Sequence, residues 1–441
     1  MKHITLNNFR CFKDLRIDLT PGINLIIGDN ASGKTSLLFG CKYAINCYFS
    51  GFSDLYTTWT TPGKNDFMRT FSGEKRLQTQ PIVIKYSYYP SDNPSGEAFR
   101  LDNTELTLIK RNEKSRPLLS GLKELREYGQ HLAQNQIVDI QHTKHQPDVL
   151  PLIASFSTHG IHMSRPKINA GYFIEYAQTP SFGYYMCHST DGLLEHWIRR
   201  LLVLKEAGKN PVELKIVMDT LTRMFGEDGC DIIDYFDIRI NLKDIVCKLR
   251  DGREIPVNIL SDGYKRLVSI VLDLAFRCAL LNSMKFEEEA ALKTPGTVII
   301  DEIDLHLHPS LQAKVLKALH KTFPALQFIV STHAPMVMSG VENNKVNQVL
   351  HISYDEEKER YSVLPVDTFG MDLSTLAVAV LNVPSREPGV EKELRTLQET
   401  VDNENFADAA RLLERMRHRF GDRLPELSGI ETQIAIEELL K

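Results

Sequence analysis

Residues 28–37 read GDNASGKTSL. Gly28, Gly33, Lys34 and Thr35 complete the spacing G-x-x-x-x-G-K-[ST], and the chemistry of that spacing is phosphate binding. Glycines let the backbone come close to a phosphate, and successive N–H groups then point at its oxygens. A helix that starts immediately afterwards adds its positive end. Gly28, Asp29, Asn30, Ala31, Ser32, Gly33, Lys34, Thr35 and Ser36 are therefore candidate nucleotide contacts. Lys34 would reach the β- and γ-phosphates of ATP, and Thr35 would hold Mg²⁺. The pattern also arises by chance in turns. Here an apolar run, INLIIG, precedes it, and a helix is expected from Thr35 to about Tyr48, which is the strand–loop–helix setting the chemistry needs.

A second stretch, TVIIDEIDLHLHP, begins with strand-forming residues and then carries two acids. Asp301 at a strand end suits a Mg²⁺ contact, direct or through water. Glu302, one step on, could orient or deprotonate an attacking water. His306 and His308 form an H-x-H pair, which could ligate a metal. With no third ligand in view, they read as a turn that caps the helix after Pro309.

These residues need strands and helices to hold them. HITLNNF and LRIDL alternate as a hairpin, and INLIIG is a short buried strand. PIVIKYSYY and ELTLIKR alternate as strands on either side of turn chemistry. DGLLEHWIRRLLVLKEAG and NPVELKIVMDTLTRMFGEDG have helical period. FDIRINLKDIVCKLRDGREIPV reads as a hairpin closed at Asp251-Gly252. A helix after Ser261, the strand GTVIID, a helix after Pro309 and the strand LQFIVST complete an α/β pattern with a parallel sheet. Beyond Pro384, KELRTLQETV and FADAARLLERMRHRF are amphipathic. In the second, Phe406, Ala409, Ala410, Leu413, Met416 and Phe420 fall on one face.

The chain has 441 residues, 42% of them hydrophobic and 25% charged, which suits a globular protein of two or three domains. A net charge of −5 gives no support to a chain-wide nucleic-acid surface. Lys64, Arg69, Lys75 and Arg76, in a Gly/Ser/Thr-rich stretch, could track a phosphate backbone, though an ordinary loop accounts for them as well. Arg199 and Arg200 after Trp197 read as a snorkelling surface pair. No apolar run reaches bilayer length, and the N-terminus lacks a signal-peptide layout. Seven scattered cysteines without a CxxC pair argue against a disulfide framework and against a cysteine zinc site, and point to a reducing cytoplasm.

Taken together, the motifs resemble the ABC-type ATPases of the branch that includes RecF, SMC and the OLD-family proteins. The opening LNNFRCFKDLRIDLTPGINLIIGDNASGKTSLL is similar to that branch's N-terminus. LSDGYKRLVSIVLDLA is similar to the ABC signature and its helix. Ser261 and Gly263 match it, while Asp262 and Tyr264 depart from it. FIVSTHAP is similar to the switch strand, and the resemblance implies that His333 contacts the γ-phosphate. It also implies a Q-loop glutamine near the metal, for which Gln141 is preferred over Gln136. The likeness covers about residues 1–45 and 255–370. The remainder is similar in layout to single-chain bacterial ATPases of the AAA_21 type, and the short helical tail to the ATPases of antiphage modules such as Septu and the retron-linked systems.

The resemblance implies an α/β ABC-ATPase head, in which a P-loop parallel sheet is joined by an antiparallel β lobe, with a helical insertion and a helical C-terminal tail. The expected divisions are residues 1–175, 176–255, 256–384 and 385–441. Lys34 and Asp301 are separated by most of the chain, which excludes a compact transporter subunit. No long heptad run supplies an SMC arm, and the tail is too short for the nuclease domain of OLD proteins. The implied function is an ATP-binding and hydrolysing ATPase that forms a homodimer or higher homo-oligomer around ATP. It would gate a separate effector, such as an HNH-type nuclease, in a DNA-related or antiphage system, with nucleic acid a possible further partner and no membrane. The alternative is a RecF-like repair ATPase that clamps DNA without a toxic effector.

Overall fold

The computed structural model describes residues 1–68, 71–72, 75–76, 80–89, 104–139, 148–157, 168–175, 179–188, 193–380 and 386–439. It divides into two compact units, Met1–Met371 and Asp372–Lys441. The first opens with β1 (His3–Phe9) and β2 (Phe12–Asp18), an antiparallel hairpin in which Phe9 pairs with Phe12. β3 (Ile23–Ile27) follows, with all five residues buried, and then α1 (Lys34–Asn46). β4 (Ile82–Ser87) and β5 (Leu106–Lys110) join β1 and β2 in a four-stranded antiparallel sheet of order β2-β1-β4-β5.

α2 (Lys123–Asp139) leads to β6 (Leu152–Phe156), α3 (Leu194–Ala207) and α4 (Pro211–Phe225). A three-stranded sheet comes next: β7 (Ile233–Arg239), β8 (Asp244–Leu249) and β9 (Glu254–Pro256). The turn at Asp251-Gly252 closes β8 onto β9, with Gly252 at φ 87°. The stretch expected as one hairpin therefore makes three strands, because Lys243 at φ 52° supplies an earlier reversal.

α5 (Asp262–Phe286), β10 (Gly296–Ile300), α6 (Pro309–Thr322), β11 (Leu326–Ser331), β12 (Gln348–Asp355) and β13 (Arg360–Pro365) complete the unit. The central sheet has the order β13-β12-β3-β11-β10-β6. All its pairings are parallel except β12 with β13. The architecture is the expected α/β one, a parallel P-loop sheet accompanied by antiparallel sheets. In parallel sheets of this kind, ligands bind beyond the carboxyl ends of the strands. Here those ends lead into the phosphate loop after β3, into Asp301 after β10 and into His333 after β11.

α5 is the central helix. Continued to Lys293 it is long and apolar enough to cross a bilayer, unlike the expectation from the sequence, but 78% of its apolar window is buried within the fold. Two of its charged residues, Asp273 and Arg277, are enclosed with it. Arg277 binds Asp273 and donates to the Gly183 carbonyl at 2.6 Å, while Trp197 Nε1 donates to Asp273 at 2.7 Å and stacks on Phe276.

Arg200 corrects a second expectation. It is buried, not snorkelling, and its Nε and Nη2 donate to the Glu213 carboxylate at 2.5 and 2.9 Å. Its Nη1 donates to the Glu175 carbonyl at 2.9 Å. Helical period placed it one step from exposed Arg199, but the packing of α4 against α3 brought a carboxylate to meet it.

The second unit contains α7 (Pro388–Asp402), α8 (Phe406–Phe420) and α9 (Pro425–Leu439). Its own core joins Leu394, Leu397 and Val401 to Ala409, Leu413, Met416, Leu427, Ile430 and Ile434. Of the stripe expected on α8, Phe406 and Phe420 are partly buried and Ala410 is exposed. Adjacent helical positions lie about 100° apart, so Ala409 and Ala410 do not share the buried face.

Arg200→Ala should lower unfolding free energy by about 3–5 kcal/mol in urea titration of the full chain, because it strands Glu213. Arg200→Met combined with Glu213→Leu should recover most of that loss. A change below about 0.5 kcal/mol for the single variant would contradict this account of the pair.

Candidate nucleotide site

The loop between β3 and α1 is shaped by its neighbours. Gly28 has φ 148°, and a β-carbon there would lie 2.3 Å from the Ile352 carbonyl on β12, so only glycine fits. Ala31 takes a left-handed conformation at φ 63°. Lys34 reaches back over the loop, where its Nζ donates to the carbonyls of Gly28 at 2.8 Å and Asp29 at 2.7 Å. Burial pulls the Lys34 ammonium below its ordinary pKa, against the opposing pull of Asp29, Asp301, Glu302 and Asp304. Ser32 Oγ is buried in this cradle without a hydrogen-bond partner. Arg10, on the β1–β2 turn, ties the antiparallel sheet to α1. It donates to Asp66 at 2.8 Å and covers the Phe39 ring at 3.8 Å, while Tyr43 donates to the same Asp66 at 2.6 Å.

Asp301 is buried at the end of β10 and accepts a bond from Ser331 Oγ at 2.6 Å. Thr35 Oγ1 stands 3.5 Å from the same carboxylate oxygen. That separation exceeds an ordinary O–H···O bond, and the two groups form a hard-oxygen pair of the kind Mg²⁺ prefers. The Glu302 N–H donates to Ser331 Oγ at 2.9 Å, and Glu302 itself is left-handed at φ 51°. His333 follows β11, and its N–H donates to Asp304 at 3.4 Å. Thr332 Oγ1 donates to that same carboxylate oxygen at 2.6 Å.

His306 and His308 serve the turn. His306 is left-handed at φ 62°, and His308 caps α6 by accepting from the Ser310 N–H at 3.4 Å. Among the described residues no group of three His, Cys, Asp or Glu could hold a metal. All seven cysteines are free.

Ser261 is the N-cap position of α5, exposed, with no side-chain cap bond in its own helix. Gly263, in the first turn, packs so closely on the loop after β10 that a β-carbon would lie 2.1 Å from the His306 carbonyl. The structure thus gathers residues 28–36, Asp301, Glu302 and His333 at one end of the sheet. It sets Gly263 against the turn that follows Glu302. Gln141 lies outside the described residues, as does Arg69. Gln136 falls in α2 and Lys75 and Arg76 in short strands, all described only in backbone.

Sequence reasoning passed over Ser331 and Asp304, which hold Asp301 and the His333 segment. Asp304 was visible as a third acid in DEIDLHLHP, and Ser331 as the residue two before His333.

The sequence profile of AAA_21, described as "AAA domain, putative AbiEii toxin, Type IV TA system", matches residues 23–339. The chain belongs to the AAA_21 family. The probable ATPase of retron Vc95 from Vibrio cholerae serotype O1 biovar El Tor is 41% identical over 106 residues, 24% of this chain and 20% of that protein. The Septu protein PtuA of Bacillus thuringiensis is 26% identical over 181 residues, 39% of this chain and 44% of PtuA. The AAA_21 chain therefore spans less than half the length of these relatives. Among solved structures, the Smc head bound to the C-winged helix domain of ScpA aligns with 83% of this chain and 97% of its own, at 14% identity and a TM-score of 0.43.

Proposed function

We propose that this AAA_21 protein binds ATP and hydrolyses it to ADP and phosphate, and that two copies close around the nucleotide. The observation that carries the reading is the meeting of Lys34 in its loop with Thr35 and Asp301 across 3.5 Å, at one end of the sheet. The loop N–H groups and Lys34 would take the β- and γ-phosphate charge in place of the Gly28 and Asp29 carbonyls. Thr35 and Asp301 are the residues that would hold Mg²⁺, which when bound neutralises charge on the phosphate oxygens. Gln141 remains the proposed third metal contact, by resemblance alone.

Glu302 would accept a proton from water as its oxygen attacks the γ-phosphorus and the bond to the bridging oxygen of ADP breaks. His333 would touch the γ-phosphate. From the second copy, Ser261 and the Gly263 N–H would complete the site. The exposed Ser261 hydroxyl and the unpaired N–H groups of the first helical turn support this.

We propose further that the ATPase gates a separate effector, an HNH-type nuclease, in a bacterial antiphage module, acting in the cytoplasm with nucleic acid as a possible ligand. The retron and Septu names of the relatives support this reading.

Glu302→Gln should lower kcat on the order of 10²–10⁴-fold and accumulate an ATP-bound dimer, seen by sedimentation. Turnover at the wild-type rate would remove Glu302 from the chemistry. Ser261→Arg should abolish turnover and dimerisation while each monomer still binds ATP, and surviving activity would refute the composite site. Expression from the native operon should co-purify an effector whose nuclease activity responds to ATP. Co-purification of recombination proteins alone would favour the RecF-like alternative.

A further inference from the structure

α5 makes a second connection to the site, one turn beyond Ser261. Arg266 reaches from the helix to the end of β10, where its Nη2 donates to the Asp301 carbonyl at 2.8 Å and its Nη1 donates to the Glu302 carbonyl. The Glu302 N–H is already held by Ser331 Oγ at 2.9 Å. The two peptide groups that flank Glu302 are therefore each held on both sides. Their N–H groups go to Ser331 of β11, with the Ile303 N–H on the Ser331 carbonyl at 3.1 Å. Their carbonyls go to Arg266 of α5, the Glu302 carbonyl also accepting from the Leu305 N–H at 3.1 Å. Between them Glu302 adopts φ 51°, a conformation that residues with a β-carbon disfavour.

A guanidinium suits this task. Its planar fork offers two N–H donors to two successive carbonyls and keeps its charge throughout the physiological range. A lysine ammonium is a point donor on a flexible stem and cannot reproduce the fork. Gly263 adds a second contact between the same helix and the same loop, since its α-carbon packs against the His306 carbonyl. The first turns of α5 and the segment 301–306 are thus joined at two points within one chain.

We infer that Arg266 is a positioning residue. It holds Glu302 in its left-handed conformation and so sets the aim of the carboxylate. It also carries any displacement of the Ser261 end of α5 to that carboxylate in the same chain. In a pair of copies, engagement of one copy's Ser261 by the nucleotide of the other would adjust the first copy's own Glu302. The inference rests on the reading of Glu302 as the general base.

Steady-state ATP hydrolysis by the full chain tests it, with ATP affinity measured separately. The variants are Arg266→Ala, Arg266→Lys, Glu302→Gln and the double variant Arg266→Ala/Glu302→Gln. Wild-type turnover decides the ATPase reading by itself, and the Arg266 assignment is decided by ratios among the variants. Arg266→Ala should lower kcat on the order of 10²-fold while KM for ATP stays within about twofold. Arg266→Lys should not restore the rate, whereas guanidinium ion added to Arg266→Ala should restore part of it.

In the Glu302→Gln background, removal of Arg266 should cost nothing more, because the residue acts through the carboxylate already lost. An equal fall in both backgrounds, or a rise in KM at unchanged kcat, would overturn the assignment. If Arg266→Ala fails to fold, Arg266→Lys serves in the same comparison of backgrounds.

Discussion

The site depends on the pairing register of β3, β11 and β10. Val330 lies beside Leu25 on one side and beside Ile300 on the other. The next residues out are Ser331 and Asp301, which bond at 2.6 Å and face Thr35 at the head of α1. A slip of one residue in either pairing would turn Ser331 or Asp301 to the opposite face of the sheet. The three or four buried apolar residues of each strand set that register, since a slip would move each of them to the opposite face and against different neighbours. The chemistry at the edge is thus fixed by apolar packing in the interior.

Around that register the polar groups hold backbone more than they hold one another. Ser331 takes the Glu302 N–H, Arg266 takes the carbonyls of Asp301 and Glu302, and Asp304 takes the hydroxyl of Thr332 and the N–H of His333. Left-handed residues at Ala31, Glu302 and His306 show where the chain is bent against its preference. Each such residue costs about 1–3 kcal/mol and persists only where its surroundings over-determine it. Their concentration beside the phosphate loop and the two acids is where a preorganised site would store strain.

Much of this was legible along the chain. The eight residues from Gly28 to Thr35 are candidates for phosphate contact from local spacing alone, because a phosphate loop is built from consecutive N–H groups. The acids after GTVII, the Asp251-Gly252 turn and the apolar face of Ala409, Leu413 and Met416 are local in the same sense. Arg200 was not legible, because its partner Glu213 belongs to the next helix and helical period alone places it beside an exposed neighbour. The apolar length of α5 was not legible either, and 78% of its apolar window is buried within the fold.

The sequence by itself determined which residues are candidates to hold a phosphate and a metal, since that depends on residue types at short, fixed spacing. Only the tertiary structure decided which of them meet. Asp301 joins Ser331 and faces Thr35 because three strands from distant parts of the chain align in one register. Arg266 reaches the two carbonyls because α5 packs its first turns on the loop after β10. Both facts rest on long-range packing, which spacing along a chain does not encode.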